Sequence, residues 1–125
     1  MAHIVVRKLV VYVAGPFRGA NAWEIEQNIR RAEELALQAW HAGFAVLCPH
    51  TNTRFFQGAA PDDVWLDGDL ELLRRCDAVL LTNDWARSSG ARAEVNFADS
   101  LGVPVYGTLA TLCRDWNAGL LVPRE

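Results

Sequence analysis

The sequence predicts a three-layer α/β fold with a parallel sheet, and three observations carry that expectation. Apolar, β-prone runs recur at residues 9–14, 44–48, 77–81 and 104–106. They are continuous rather than alternating, the form of strands covered on both faces. Segments with apolar residues at helical spacing lie between them, and strands alternating with helices imply right-handed βαβ units. At 125 residues the chain suits a single domain, 1–125, around one core.

The first run contains Leu9, Val10, Val11, Tyr12, Val13 and Ala14 and stops at Gly15 and Pro16. Asn21, with Glu24 three residues later, has the spacing of a capping box. Ile25, Ile29, Ala32, Ala36 and Ala39 then form a helical stripe that ends at Gly43, and Glu26 is spaced to pair with Arg30 on the outer face. The second run is stopped by Pro49, and a long connection through residues 50–60 follows. Such loops in compact domains are often functional.

Pro61, Asp62 and Asp63 read as a helix start, with proline at the first helical position and acids in the first turn, and this helix extends to about Arg75. After the third strand, Ser88 and Ser89 are cap-quality residues for a helix whose stripe is Ala91, Val95, Ala98 and Leu101. Gly102 and Pro104 stop it. Thr108 is placed to cap a last short helix through Trp116, which leaves residues 120–122 as a fifth strand or a docking tail.

Composition narrows the function. The net charge of −3 provides no basic field for a nucleic-acid polymer. No stretch approaches a membrane span, and the N-terminal apolar segment is broken by Arg7 and Lys8, so a soluble cytoplasmic protein is expected. Cys48, Cys76 and Cys113 are far apart, odd in number and in apolar surroundings, as reduced core residues are. His3, His41 and His50 lack ligand spacing, so no metal is expected.

In a sheet of this kind ligands sit beyond the carboxyl ends of the strands. Three loops leave those ends, at residues 15–19, 49–53 and 82–88. The last opens the helix that carries Glu94, beside its apolar stripe. A carboxylate there is costly to bury unless it is paired or used, and the helix start offers free N–H groups to an anion. Taken alone, the segment fits a capped helix with a partly exposed glutamate equally well. Asp69 likewise interrupts an apolar face, with Trp65, Leu72 and Leu73 as helical neighbours. Two carboxylates in one crevice would suit glycosidic chemistry. Phe17, Phe55, Phe56, Trp65 and Trp85 offer stacking surfaces, of which Phe17, between Pro16 and Arg18, is best placed.

Three motifs in order carry a family resemblance. The segment Tyr12-Val13-Ala14-Gly15-Pro16-Phe17-Arg18-Gly19, the run from Asp69 through Asp77 to Val79, and Ser88, Gly90 and Glu94 together resemble the nucleoside 2-deoxyribosyltransferase superfamily. The resemblance spans residues 9–106 and is nearest to small phage and bacterial members and to nucleoside 5′-monophosphate N-glycosidases. It implies a flavodoxin-like (Rossmann-like) domain with a sheet of four or five strands. It also implies a cofactor-free enzyme, a cytoplasmic homodimer, acting on a nucleoside 5′-monophosphate or nucleoside.

By the same resemblance Glu94 is the nucleophile, Asp69 assists departure of the base, and Tyr12 stands beside the nucleophile. Gly15, Phe17, Arg18, Gly19, Ser88 and Gly90 bind substrate. Ser88 stands where the transferases have an aspartate, and a serine accepts a 5′-phosphate that an aspartate would repel. Hydrolysis of the N-glycosidic bond is the expected reaction. Base exchange by a deoxyribosyltransferase is the alternative, and a nucleotide-binding or sensing module without turnover is another. Two departures stand out. The carboxyl-terminal part is short, and Arg92, absent from better-known members, pairs with Glu94, contacts phosphate or is an exposed helix arginine.

Overall fold

Why the helices cover both faces of the sheet follows from the alternation of side chains along its strands. The structure is a computed structural model that describes residues 3–4 and 6–124. Strand β1 (Val10–Ala14) is joined through helix α1 (Ala22–His41) to β2 (Ala45–Leu47). Helices α2 (Pro49–Asn52) and α3 (Asp62–Arg74) lead to β3 (Ala78–Leu81), and a 3-10 turn (Trp85–Arg87) and α4 (Ser89–Leu101) lead to β4 (Val105–Tyr106). Helix α5 (Leu109–Asn117) comes last.

All pairings are parallel and the order is β2-β1-β3-β4. Tyr12 is level with Leu47 on one side and Val79 on the other. Val11, Ala78 and Leu80 point to the side of α1 and α5, where they pack with Ala39, Phe44 and Leu112. Tyr12, Ala14, Val79 and Leu81 point to the opposite side, toward Leu73 of α3 and Ala98 of α4. The result is the three-layer, flavodoxin-like arrangement that the sequence predicts. The chain leaves β1 toward β2 and later returns to the far side of β1 to lay down β3. That reversal opens a crevice at the carboxyl ends of β1 and β3.

Local signals behave largely as expected. Asn21 caps α1 by accepting the Glu24 N–H at 2.9 Å, while the Glu24 carboxylate accepts from Ala20 N, one residue before the position of an ideal capping box. Glu26 pairs with Arg30 at 3.3 Å and also with Arg54. Ser88 caps α4, Gly102 ends it at φ 73°, and Thr108 caps α5.

Two expectations are corrected, and of the two readings of the tail the docked one holds. Pro49 opens a short helix instead of merely stopping β2, because a proline at the first helical position has no N–H to lose. Pro61 is the N-cap of α3, so its helix begins at Asp62. Among the described residues, 120–122 form no fifth strand. Leu121 docks into the core beside Leu112, and the tail is fixed by Asp77, which accepts from Arg124 N at 2.6 Å and from Val10 N at 2.8 Å. No helix among the described residues is long and apolar enough to cross a membrane.

Candidate active site

Side-chain period and helix phase together bring Tyr12, Asp69 and Glu94 into one place. Tyr12 lies on the α3 and α4 side of β1, two residues before the strand ends at Ala14. Glu94 is three residues after Ala91 and four before Ala98, both buried, so its side chain turns toward the sheet. Asp69 shares a helical face with Leu73, which is fully buried. The two carboxylates line a cavity of about 460 Å³ at the carboxyl end of the sheet.

The Tyr12 hydroxyl donates to Glu94 Oε2. Burial, reinforced by the Glu94 charge, pushes the phenol well above its ordinary pKa, so it remains a donor throughout the physiological range. Burial also pushes Glu94 up to about 7; the Tyr12 hydrogen bond opposes that rise and the neighbouring Asp69 charge adds to it. Asp69 is pushed up to about 6 by burial. Near neutrality the pair therefore passes through a state that holds one proton between two carboxyls.

The loop after β1 forms one wall. Gly15 is required by close approach, since a Cβ there would lie 2.4 Å from Thr82 Oγ1 and 2.6 Å from its Cγ2. Phe17 and Arg18 line the cavity, and Arg18 is held at the rim by an ion pair with Asp62 from the start of α3. Gly19 does not line it. A Cβ at Gly19 would lie 2.6 Å from Glu24 Cβ, so its glycine serves the packing of the loop on α1.

His50 of α2 is buried against this loop, with Nε2 at 2.8 Å from Pro16 O and the Phe17 ring at 5.6 Å. Burial lowers its pKa. A neutral ring facing a carbonyl must carry its proton on Nε2. Nδ1 is then an acceptor, and it has no hydrogen-bond partner among the described residues.

The α4 end forms the opposite wall. Ser88 Oγ accepts from Ala91 N at 3.1 Å, and the N–H groups of Ser89 and Gly90 have no partner among the described residues. With the positive end of the helix dipole they make this wall receptive to anions. Gly90 is spacious, its nearest would-be Cβ contact being Ser88 Oγ at 3.7 Å.

For Arg92 the exposed alternative holds: it donates to Ala86 O at 2.5 Å and makes no pair with Glu94. Two residues along a helix is about 200° of rotation, a signal that already turns Arg92 away from Glu94. The cavity is lined by Arg18 and also by Arg87, which sequence reasoning passed over along with Asn28, His50 and Asp62. Of the aromatic residues, Phe17 and Trp65 line the cavity; Phe56 packs on Trp65 at 5.7 Å, Phe55 is exposed, and Trp85 belongs to the core. Among the described residues no group of three His, Cys, Asp or Glu is arranged to hold a metal ion.

Comparison with solved structures finds similarity to a 2-deoxyribosyltransferase from the psychrotolerant bacterium Bacillus psychrosaccharolyticus. The TM-score is 0.56 and the identity 22%, over 77% of this chain and 69% of that one, which shows a shared fold. Comparison with curated proteins finds no match. Residues 9–107 match the family described as "Domain of unknown function (DUF4406)" and take in all three motifs, from Tyr12 to Glu94. The chain belongs to that family.

Proposed function

We propose that the protein is a nucleotide N-glycosidase, hydrolysing the bond between base and sugar in a nucleoside 5′-monophosphate. The observation that carries this reading is the facing of Glu94 and Asp69 across one cavity, with Tyr12 bonded to Glu94. The reaction uses the singly protonated form in which Glu94 is ionised and Asp69 carries the proton. With Glu94 at about 7 and Asp69 at about 6 the proton rests more often on Glu94, and the Tyr12 hydrogen bond narrows that difference by favouring ionisation of Glu94. A Glu94 carboxylate oxygen attacks C1′ while the C1′–N bond breaks. The electron pair leaves with the base, whose nitrogen takes the proton of Asp69. Water then attacks C1′, gives its proton to Asp69 and frees Glu94. Each residue resets and no cofactor enters the balance.

The shared fold with a 2-deoxyribosyltransferase favours a second reading, in which another base instead of water intercepts the same intermediate. The exposed Val64 and Leu66 of α3, close to the cavity, support a homodimer, which sedimentation equilibrium tests.

The deciding experiment measures free-base release from ribo- and deoxyribonucleosides and their 5′-monophosphates, with and without an acceptor base. Wild type is compared with Glu94→Ala. Release that disappears in Glu94→Ala is the expected result, and new nucleoside formed only with acceptor assigns transfer. Release undiminished in Glu94→Ala, or no turnover of any substrate, overturns the enzymatic reading.

A further inference from the structure

Arg87 is held in place far more tightly than an exposed arginine needs to be. It closes the 3-10 turn immediately before Ser88. Its Nε donates to Asp84 Oδ2 at 3.2 Å, and its Nη2 donates to Asp84 Oδ2 at 3.0 Å and to Asn28 Oδ1 at 3.1 Å. Three of the five N–H donors of a guanidinium are thereby used. The two on Nη1 have no partner among the described residues.

The groups that hold Arg87 are themselves fixed. Asn28 is 3% exposed and donates to both Phe17 O and Arg18 O at 3.1 Å, while its oxygen also accepts from Arg31. Asp84 accepts from Thr82 Oγ1 at 2.8 Å and faces Arg31 Nε at 3.4 Å. Two guanidiniums thus share one carboxylate, which leaves a local positive charge. Arg87 also stands where the main cavity adjoins a hollow of about 290 Å³ lined by Trp23 and Arg31. By contrast Arg18 is tied to Asp62 at the rim, with 69% of its side chain exposed.

We propose that Arg87 is the specificity-determining residue for a phosphate ester on the sugar, and that Asn28 is its positioning residue. The phosphate is read by Nη1 together with the free N–H groups of Ser89 and Gly90. The identification of the ligand as a sugar phosphate rests on the N-glycosidic reading. The arrangement itself needs only an anion with several acceptor oxygens, which suits a planar fork of N–H donors beside helix amides. A guanidinium fixed before the ligand arrives also loses little freedom on binding.

The test is titration of the full chain with ribose 5-phosphate and with ribose, followed by amide chemical shifts. Wild type, Arg87→Gln, Arg87→Lys and Asn28→Asp are compared. Wild type is expected to prefer ribose 5-phosphate, and Arg87→Gln to lose about tenfold or more of that preference. Arg87→Lys keeps a charge but not the fork, and recovers only part of the loss. Asn28→Asp keeps the acceptor yet loses both donors to the first loop, and moves the preference in the same direction without changing the ribose affinity in proportion.

Equal binding of ribose and ribose 5-phosphate by wild type overturns the proposal, as does a preference retained in Arg87→Gln. Neither result depends on turnover. Phosphate preference that requires Arg87, found without base release, would sustain this assignment while the glycosidic one falls.

Discussion

The hydroxyl of Tyr12, on the central strand, donates to the carboxylate of Glu94, on the helix that packs over that strand. The bond ties the ionisation of a candidate nucleophile to the position of the sheet beneath it. Because the donor stays protonated, it always favours the charged form of Glu94 and opposes the effect of burial.

Replacing Tyr12 with phenylalanine therefore raises the Glu94 pKa above its present value of about 7. The loss of a hydrogen bond to a charged group is worth about one pKa unit or more. Carboxyl-carbon chemical shifts across a pH series measure it without any need for activity. A pKa that stays put or drops would contradict the arrangement.

Glu94→Gln should stabilise the protein at neutral and alkaline pH. The carboxyl titrates near 4.5 when unfolded and near 7 when folded, so between those values the folded state holds a proton that the unfolded state has released. Wild-type stability then falls as pH rises through this window, to a loss of about 3 kcal/mol above it. Glutamine still accepts from Tyr12 and carries no such loss. Melting temperatures of the two proteins should meet below pH 4.5, part between pH 4.5 and 7 and stay apart above it; a separation that is the same at every pH would refute the linkage.

Two glycines at the cavity should respond in opposite ways to alanine. At Gly15 the new methyl meets Thr82, whose hydroxyl holds Asp84, and overpacking of this kind costs about 1–3 kcal/mol. At Gly90 there is room, and alanine is the better helix former by up to ~1 kcal/mol. Denaturant midpoints of the two variants decide it.

Ser88 can be separated into its structural and its recognition roles. Ser88→Ala removes the cap on Ala91 N and costs about 1 kcal/mol. Ser88→Asp keeps a capping oxygen and complements the helix dipole, so the melting temperature holds, while the added charge repels a phosphate. Thermal melts and ribose 5-phosphate titration of both variants should therefore rank them in opposite orders.

Much of this arrangement is legible in the sequence, for identifiable reasons. Strands β1 and β3 are continuous apolar runs buried on both faces, and Asn21, Ser88 and Thr108 are caps whose acceptors lie within a few residues. Tyr12, Asp69 and Glu94 stand out because a polar group on an apolar face is conspicuous in one dimension. What the sequence conceals is contact between distant segments. Nothing in the spacing shows that Asn28 reaches Phe17, Arg18 and Arg87 at once, since those partners are 11, 10 and 59 residues away. Arg87 itself looks like an ordinary turn arginine until Asp84 and Asn28 are seen around it. Pro49 is ambiguous for a local reason, because a proline that ends a strand is equally suited to begin a helix.

The alternation along β1 has one more consequence. Tyr12 and Ala14 face the carboxylates, whereas Val11 and Val13 face α1 and α5 and touch none of the cavity's chemistry. Selection can thus act on the two sides of one strand almost independently. Drift in Phe44, Leu112 or Trp116 alters how firmly the scaffold holds, and drift around Tyr12 alters what it does, so relatives can diverge in robustness and in reactivity along separate routes.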